Sequence, residues 1–339
     1  MKFVHTADTH LGFEVTKRSH VHPEGRIWRA ETIYNNFLTV VRYALDQEVD
    51  LFIHSGDLFN KYYIPRENLD HLTRPVLELA RAGIPVLVIP GNHERSEFPY
   101  DLFHGSPGIF VFDRPKSLSL VLDGFSVGIA GFPFIRNDSK RTFLKALMET
   151  EYSGLRSDLN LLVTHQAFDM ATVGPVDFIF RPGRSDTVSR HTIPLDFDYI
   201  AAGHIHRFQI LTHPLKPALP FVYPGSTQRM SFAEMYEDKG FVEGELINDR
   251  IATRFHPLPA HDMEMVEIET AGRTGAECEN DIRDQFWRLR EDLIIRFNLT
   301  GGTRKGDYPE IDFDRIRADM PEAMECHFAI KTGKKWILK

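Results

Sequence analysis

The sequence predicts an α/β fold in two halves followed by a smaller α+β unit, and three observations predict it. Short β-branched apolar runs alternate with amphipathic helical stretches through the first hundred residues. Five such runs stop abruptly and then present Asp, Asn or His. After Pro257-Leu-Pro259 a shorter strand–helix–strand pattern begins again, which divides the chain into residues 1–258 and 259–339.

In order, Phe3 to Ala7 reads as a strand ending at Asp8-Thr-His10, with a polar loop running on through Gly25. From Trp28 to Gln47, residues Ile33, Phe37, Val40, Val41, Ala44 and Leu45 recur at helical spacing. Leu51 to Ser55 is a strand ending at Gly56-Asp57. Pro65 opens a second helix that Gly83 closes. Val86 to Ile89 then runs into Pro90-Gly-Asn-His-Glu94, a buried strand stopped by a sharp turn. This β-α-β-α-β order predicts parallel strands with right-handed crossovers, and open sheets of that kind place ligands at the strands' C-terminal ends.

The second half offers strands at Leu118 to Leu122, Val127 to Gly131 and Leu159 to Thr164, the last ending at His165, with a helix from Ser139 to Met148. Gln166 to Pro194 is a long loop of the kind that carries function. Tyr199 to Ala202 ends at Gly203-His-Ile-His206. Gln209–Leu211, Phe221–Tyr223, Phe241–Ile247 and Ile251–Phe255 read as one mostly antiparallel sheet. Beyond residue 258, strands are expected at Met265 to Ile268 and Leu293 to Thr300. Helices are expected from Glu277 to Arg290 and Phe313 to Met320, before a basic end (Lys331, Lys334, Lys335, Lys339).

The bulk numbers set bounds. Of 339 residues, 42% are hydrophobic and 26% charged, the balance of a globular protein. A net charge of -8 does not decide for or against nucleic acid, because a local basic cleft escapes the sum and metal-binding carboxylates inflate it. Cys278 and Cys326 are too few for a disulfide framework or a thiolate metal site and read as buried small side chains. Charged residues come too early for a secretory segment, and no run reaches the roughly 20 apolar residues a bilayer needs, so no membrane association and a cytoplasmic location are expected.

The chemistry lies at the strand ends: Asp8 and His10, Asp57, Asn92 and His93, His165, then His204 and His206. In extended backbone the one-residue spacing of Asp8/His10 and His204/His206 points each pair to one side. Carboxylate, imidazole and amide without thiolate suit Mn2+, Fe or Zn2+ in an N/O site, with Mg2+ a further alternative. Asp57 is the carboxylate placed to bridge two ions, which together clamp a phosphoryl group for in-line attack by a metal-activated water. His93, next to the amide ligand, is placed to face the substrate, there to protonate the leaving oxygen or to stabilise the developing charge. His5, His54, His71, His213 and His256 read as structural, and any one of the Asp or Asn positions taken alone reads as a turn former.

The order D-x-H, G-D, G-N-H-E, T-H, G-H-x-H, spread over about 200 residues, resembles the calcineurin-like metallophosphoesterase superfamily. The resemblance implies a sandwich of two mixed β-sheets flanked by helices, with a small α+β capping domain. It implies one metal held by Asp8, His10, Asp57 and His206, another held by Asp57, Asn92, His165 and His204, and a catalytic His93. His5-Thr-Ala-Asp-Thr-His-Leu-Gly12, Ser55-Gly-Asp-Leu-Phe59, Tyr223-Pro-Gly-Ser-Thr-Gln228 and Lys239-Gly-Phe241 look like the DNA-repair nuclease branch, which contains the SbcD subunit of the SbcCD complex. Asp292 to Gly301 is similar to a strand of that branch's DNA-binding cap.

That branch implies a Mn2+-dependent DNA phosphodiesterase, exonuclease or endonuclease, in double-strand-break repair, forming a homodimer with an ATPase partner of the SbcC/Rad50 type. Two departures stand out. Asn60 occupies a position where archaeal members carry a second active-site His, and little chain follows the cap where the branch has helices that dock the ATPase. Arg181, Arg184 and Arg190 on the long loop are the expected DNA contacts, while Arg136, Lys140, Arg141 and Lys145 read as a solvated helix face. The alternatives are a same-superfamily enzyme acting on a small nucleotide-like substrate and a non-enzymatic scaffold.

Overall fold

The computed structural model describes residues 1–13, 20–21, 28–60, 66–94, 98–103, 105–136, 139–302, 305–332 and 335–338. Most of the polar loop through Gly25, the helix opener Pro65, and Lys334 and Lys339 of the basic end lie outside the described residues. The chain divides into two compact units: one of Met1–Phe13 with Thr32–Ala260, the other of Glu14–Glu31 with His261–Lys339.

The first unit contains two six-stranded mixed sheets. From edge to edge the first runs Arg250–Leu258, Lys239–Ile247, Lys2–Thr6, Leu51–His54, Val86–Val88 and Ile109–Val111. Its last four strands are parallel, and Lys239–Ile247 pairs antiparallel with Lys2–Thr6. The second runs Gln209–Thr212, Pro220–Tyr223, Tyr199–Gly203, Leu159–His165, Phe125–Gly131 and Lys116–Leu122, parallel inside and antiparallel at both edges.

The four segments after residue 208 therefore do not make one antiparallel sheet. Gln209–Thr212 and Pro220–Tyr223 extend the second sheet, while the hairpin Lys239–Ile247/Arg250–Leu258 edges the first. Each pair forms a local hairpin, and period-2 patterning cannot tell which sheet a hairpin joins.

Successive strand residues feed opposite cores, which is why these runs are apolar throughout. Val4, Phe52 and Val88 face Trp28–Asp46 and Arg66–Arg81 with Phe37, Val41, Val76 and Leu79. Their neighbours Phe3, Ile53 and Leu87 meet Ile129, Leu161, Val163, Tyr199 and Ala201 in the layer between the sheets. Leu162, Ile200, Phe221 and Tyr223 face outward again, onto Phe143 and Leu147 of the helix Ser139–Glu149. The result is a helix–sheet–sheet–helix sandwich. Each fully buried Leu, Val or Phe contributes about 1.5–3 kcal/mol, so three such layers hold the strand ends rigidly.

The second unit is α+β. Met263–Glu269, Ile294–Thr300 and Glu325–Thr332 run parallel, with Lys335–Leu338 and His20–Val21 antiparallel to the last. The two C-terminal strands were not foreseen, although Cys326, Phe328 and Ile330 alternate as a strand requires. Gly275–Phe286 starts at a capping box of Thr274 and Glu277. Its Cys278, Ile282 and Phe286 pack on Phe297 and Phe328. Both cysteines are fully buried free thiols. At the start of Glu325–Thr332, Arg29 Nη2 and His327 Nε2 meet Glu325 Oε1 at 2.7 and 2.6 Å; burial would raise that carboxyl, but His327 and Arg29 hold it below its usual range.

Candidate metal centre

Asp8, His10, Asp57, Asn92, His93, His165, His204 and His206 all lie at the C-terminal ends of central strands of the two sheets, within the first unit. The loops after Thr6 and His54 are zipped together by Asp8 N–H to Gly56 O (2.9 Å), His10 N–H to Asp57 O (3.0 Å) and Leu11 N–H to Leu58 O (2.8 Å). The convergence of Asp8 with His10 does not come from strand alternation, as the spacing suggested. Asp8, His10 and Asp57 have φ of 50, 54 and 55°, and His204 has 84°. Left-handed backbone at a residue with a Cβ costs of order 1–3 kcal/mol and persists where the surroundings impose it, most often at functional sites.

Glycines make the convergence sterically feasible. A Cβ on Gly91 would sit 2.0 Å from Asp57 Oδ1, and one on Gly56 2.2 Å from His165 Nδ1. On Gly203 it would meet the Ser55 carbonyl at 2.2 Å.

Nitrogen and oxygen lone pairs crowd together here. His10 Nε2 lies 3.3 Å from His206 Nε2 and 3.9 Å from Asp57 Oδ2. His165 Nε2 lies 3.4 Å from Asp57 Oδ2, 3.9 Å from Asp8 Oδ1 and 3.1 Å from Asn92 Oδ1. His204 Nδ1 is 2.9 Å from the same Asn92 oxygen, and His206 Nε2 is 3.7 Å from Asp8 Oδ1. Ligand atoms of Asp8/His10/His206, of His10/Asp57/His93 and of Asp8/Asp57/His165 each form a group within 4.8 Å. Asp8, His10, Asp57 and His165 are buried, His204 and His206 half-buried, and the His93 side chain is 42% exposed.

The outward-facing atoms are fixed as well. The His165 Nδ1–H donates to the Ser55 carbonyl (2.8 Å) and the His93 Nδ1–H to the Asn60 carbonyl (3.1 Å), so both rings turn Nε2 inward. Asn60 thus orients His93 through its backbone carbonyl. Asp8 accepts the His204 amide (3.0 Å), and Asp57 Oδ1 accepts the His93 amide (2.9 Å).

Electrostatics point to missing positive charge. Burial lowers His10 and His204 to about 3 and raises Asp8. At His165 burial opposes the charged ring, yet Asp57 and Asp8 outweigh it and raise the pKa. Glu234 does the same for His206, lifting it to about 9. Burial would raise Asp57, but His165, His10 and His93 hold it well below the carboxylate range. His10 Nδ1 is buried without a partner. A set of N and O donors with no thiolate, all facing one buried volume, fits divalent cations of the Mn2+, Fe or Zn2+ type.

Residues 1–208 match the model of the family described as calcineurin-like phosphoesterase. The chain belongs to that family. Among relatives, the chain is 30% identical over 298 residues to the DNA double-strand break repair protein Mre11 of Methanococcus maripaludis, which covers 84% of this chain and 69% of that one. It is 24% identical over 354 residues to the protein of the same name from Archaeoglobus fulgidus, covering 95% and 76%. To the SbcD subunit of the nuclease SbcCD from Staphylococcus epidermidis it is 26% identical over 321 residues, covering 88% and 79%. A phosphoesterase of this family with these clustered Asp and His residues carries a divalent-metal site of dinuclear type. No helix among the described residues is long and apolar enough to cross a membrane.

In this phosphoesterase the long-loop arginines differ in their surroundings. Arg181 is exposed, and Arg184 pairs with Asp186 at 3.0 Å on the surface. Arg190 is half-buried and tied to Asp169 (3.0 Å) and the Thr212 carbonyl (2.5 Å), which makes it a loop anchor. Arg136, Arg141 and Lys145 are exposed, with Lys145 3.7 Å from Glu149; the Lys140 side chain lies outside the described residues.

Three of the histidines read as structural have protein partners for their rings. His5 bonds Tyr199 and Ser55 (2.9 and 2.8 Å), His54 bonds Thr9 (2.8 Å), and His213 bonds the Ile193 carbonyl (3.1 Å). Two residues escaped the sequence reading. Glu94 accepts the Leu58 and Gly91 amides (2.9 and 3.3 Å), and burial and the nearby Asp57 push its carboxyl well above the usual range. Glu234 stands behind His206. The first was legible as part of G-N-H-E; the second lies in a short turn, Phe232–Glu234, with no periodic signal.

Proposed function

We propose that this phosphoesterase is a dinuclear-metal-dependent DNA nuclease of the double-strand-break repair type, acting in the cytoplasm with Mn2+ as its metal. The observation that carries the reading is the place of Asp57, whose Oδ2 lies within 3.9 Å of His10, His93 and His165 at once. On this reading Asp8, His10, Asp57 and His206 hold one cation, and Asp57, Asn92, His165 and His204 the other. Bound divalent cations neutralise phosphoryl charge and make a nucleophile of water near neutral pH.

The chain's own residues do the rest. The amides of His204 and His93 pin the Asp8 and Asp57 carboxylates. His93, the most open ring of the cluster, keeps its Nδ1 proton on the Asn60 carbonyl and offers its Nε2 edge to the leaving oxygen as acid. Arg181 and Arg184 are exposed on the loop and placed to meet backbone phosphates, Arg184 on exchanging its surface pair with Asp186, and Arg190 shapes the loop that carries them. The names of the relatives, a DNA double-strand break repair protein and a subunit of the nuclease SbcCD, support DNA as substrate and a further subunit as partner; the reading extends to an ATPase of the SbcC/Rad50 type as that partner and to a homodimer.

Purified protein with Mn2+ is expected to degrade linear duplex or single-stranded DNA. His93→Ala is expected to slow cleavage by about 10²–10⁴-fold while two equivalents of Mn2+ still bind. Turnover confined to nucleotides or cyclic nucleotides would overturn DNA as the substrate, and undiminished cleavage by the variant would remove His93 from the mechanism.

A further inference from the structure

A buried charged cluster backs His206 on the side away from the metal ligands. Glu234 Oε1 lies 3.2 Å from His206 Nδ1 and also accepts the Ser231 hydroxyl (3.0 Å). Its Oε2 accepts Lys239 Nζ (2.7 Å), Met230 N–H (3.2 Å) and the Ser226 hydroxyl (3.3 Å). Lys239 is itself buried and spends its other protons on Glu237 (3.2 Å) and the His206 carbonyl (2.9 Å). Arg207 Nε supplies the second cation to Glu237 (3.0 Å). Glu234 and Glu237 thus face Lys239 and Arg207, and Arg207 also pairs with Asp177 (2.6 Å).

One segment therefore grips His206 at both ends. The Ser226 amide and Lys239 Nζ hold its carbonyl (3.0 and 2.9 Å), and Glu234 holds its ring. The grip needs Gly225, whose φ is 79° and where a Cβ would lie 2.8 Å from the His206 carbonyl oxygen. Of the rings in the cluster, this is the one whose outer nitrogen meets a carboxylate; His165 and His93 meet carbonyls. A carboxylate behind a ligating imidazole fixes its tautomer and raises its strength as a ligand, and losing such a partner typically costs 10–100-fold in metal affinity.

We propose that Glu234 is a positioning residue for His206: its Oε1 accepts the Nδ1–H and so aims the Nε2 lone pair at the space shared with Asp8 and His10. The proposal rests on the dinuclear reading above, and it makes the two metal positions unequal in their support.

The test is calorimetric titration of the full-length, metal-free chain with Mn2+, paired with Co2+ absorption and the melting temperature without metal. Wild type is expected to take up two equivalents. Glu234→Ala and Glu234→Gln are expected to weaken one equivalent by about 10–100-fold, leaving the other within about twofold, and the weakened one should be the equivalent that His206→Ala loses. Both equivalents binding as in wild type in a folded variant would overturn the proposal, as would equal weakening of both. Should Glu234→Ala not fold, Glu234→Gln carries the same criterion, since it keeps the volume and the acceptor and removes the charge. A wild-type chain that takes up no cation would overturn the dinuclear reading itself, a different failure from a normal wild type with unaffected variants.

Discussion

The loops that carry the ligands and the core of the second unit solve opposite problems. In the second unit Cys278, Ile282, Phe297, Phe328 and Ile330 bury apolar surface, and the buried acids Glu325 and Glu279 are matched by Arg29 with His327 and by Arg283. In the ligand loops Asp8, His10 and Asp57 are buried beside His165, the three of them on backbone that residues with a Cβ avoid. The first arrangement is stable by itself. The second is held by the three packed layers beneath it and is completed by charge from outside. Unmatched polarity on a rigid scaffold is therefore the mark of the working end of this molecule.

Substitutions can test this contrast. The largest effect is expected from Asp57→Ala, which removes the carboxylate proposed to be shared: cleavage of DNA and of a small aryl phosphodiester should fall below detection, with both metal equivalents weakened in calorimetry. Retention of one tight equivalent would mean that Asp57 is not shared.

Phe328→Ala should cost the second unit about 3–5 kcal/mol in denaturant unfolding, as expected for a large aromatic deleted from a core. Small-diester hydrolysis by the first unit should persist; its loss would break the contrast. Gly91→Ala comes next, because the new methyl would strike Asp57 Oδ1 and the Asp57 amide. An overpacking cost of about 1–3 kcal/mol is expected together with weakened metal uptake, read by melting temperature and titration. Unchanged metal affinity would show that the loop can give way.

The smallest effect concerns pH. Glu325 has its folded pKa lowered, so its stabilisation is fully present above the unfolded value of 4.5 and is lost as pH falls through the folded one. Glu325→Gln should flatten the acid limb of the second unit's stability below about pH 4.5 and leave it unchanged in shape at neutral pH. An acid limb identical to wild type would show that Glu325 is not linked to folding.

Much of this was legible in the sequence, for definable reasons. The strand-end ligands stood out because a β-branched run stopped by Gly or Pro exposes whatever comes next, and Asp57 and Asn92 follow such stops. Why Asp8 and His10 converge was not legible, since the left-handed turns are imposed by the neighbouring loop and not by the local residues. Glu234 was hidden because its importance comes from a residue 28 positions away. The strand Glu325–Thr332 was legible in its alternation and was missed beside the short, basic run that follows.

Both sulfhydryls of the chain sit in the second unit, at 0% exposure, and the first unit has none. A thiol reagent added to the native protein can therefore react only when that unit opens. The modification rate of Cys278 and Cys326 becomes a clock for its breathing, readable without any engineered label while the hydrolytic unit is followed independently by turnover.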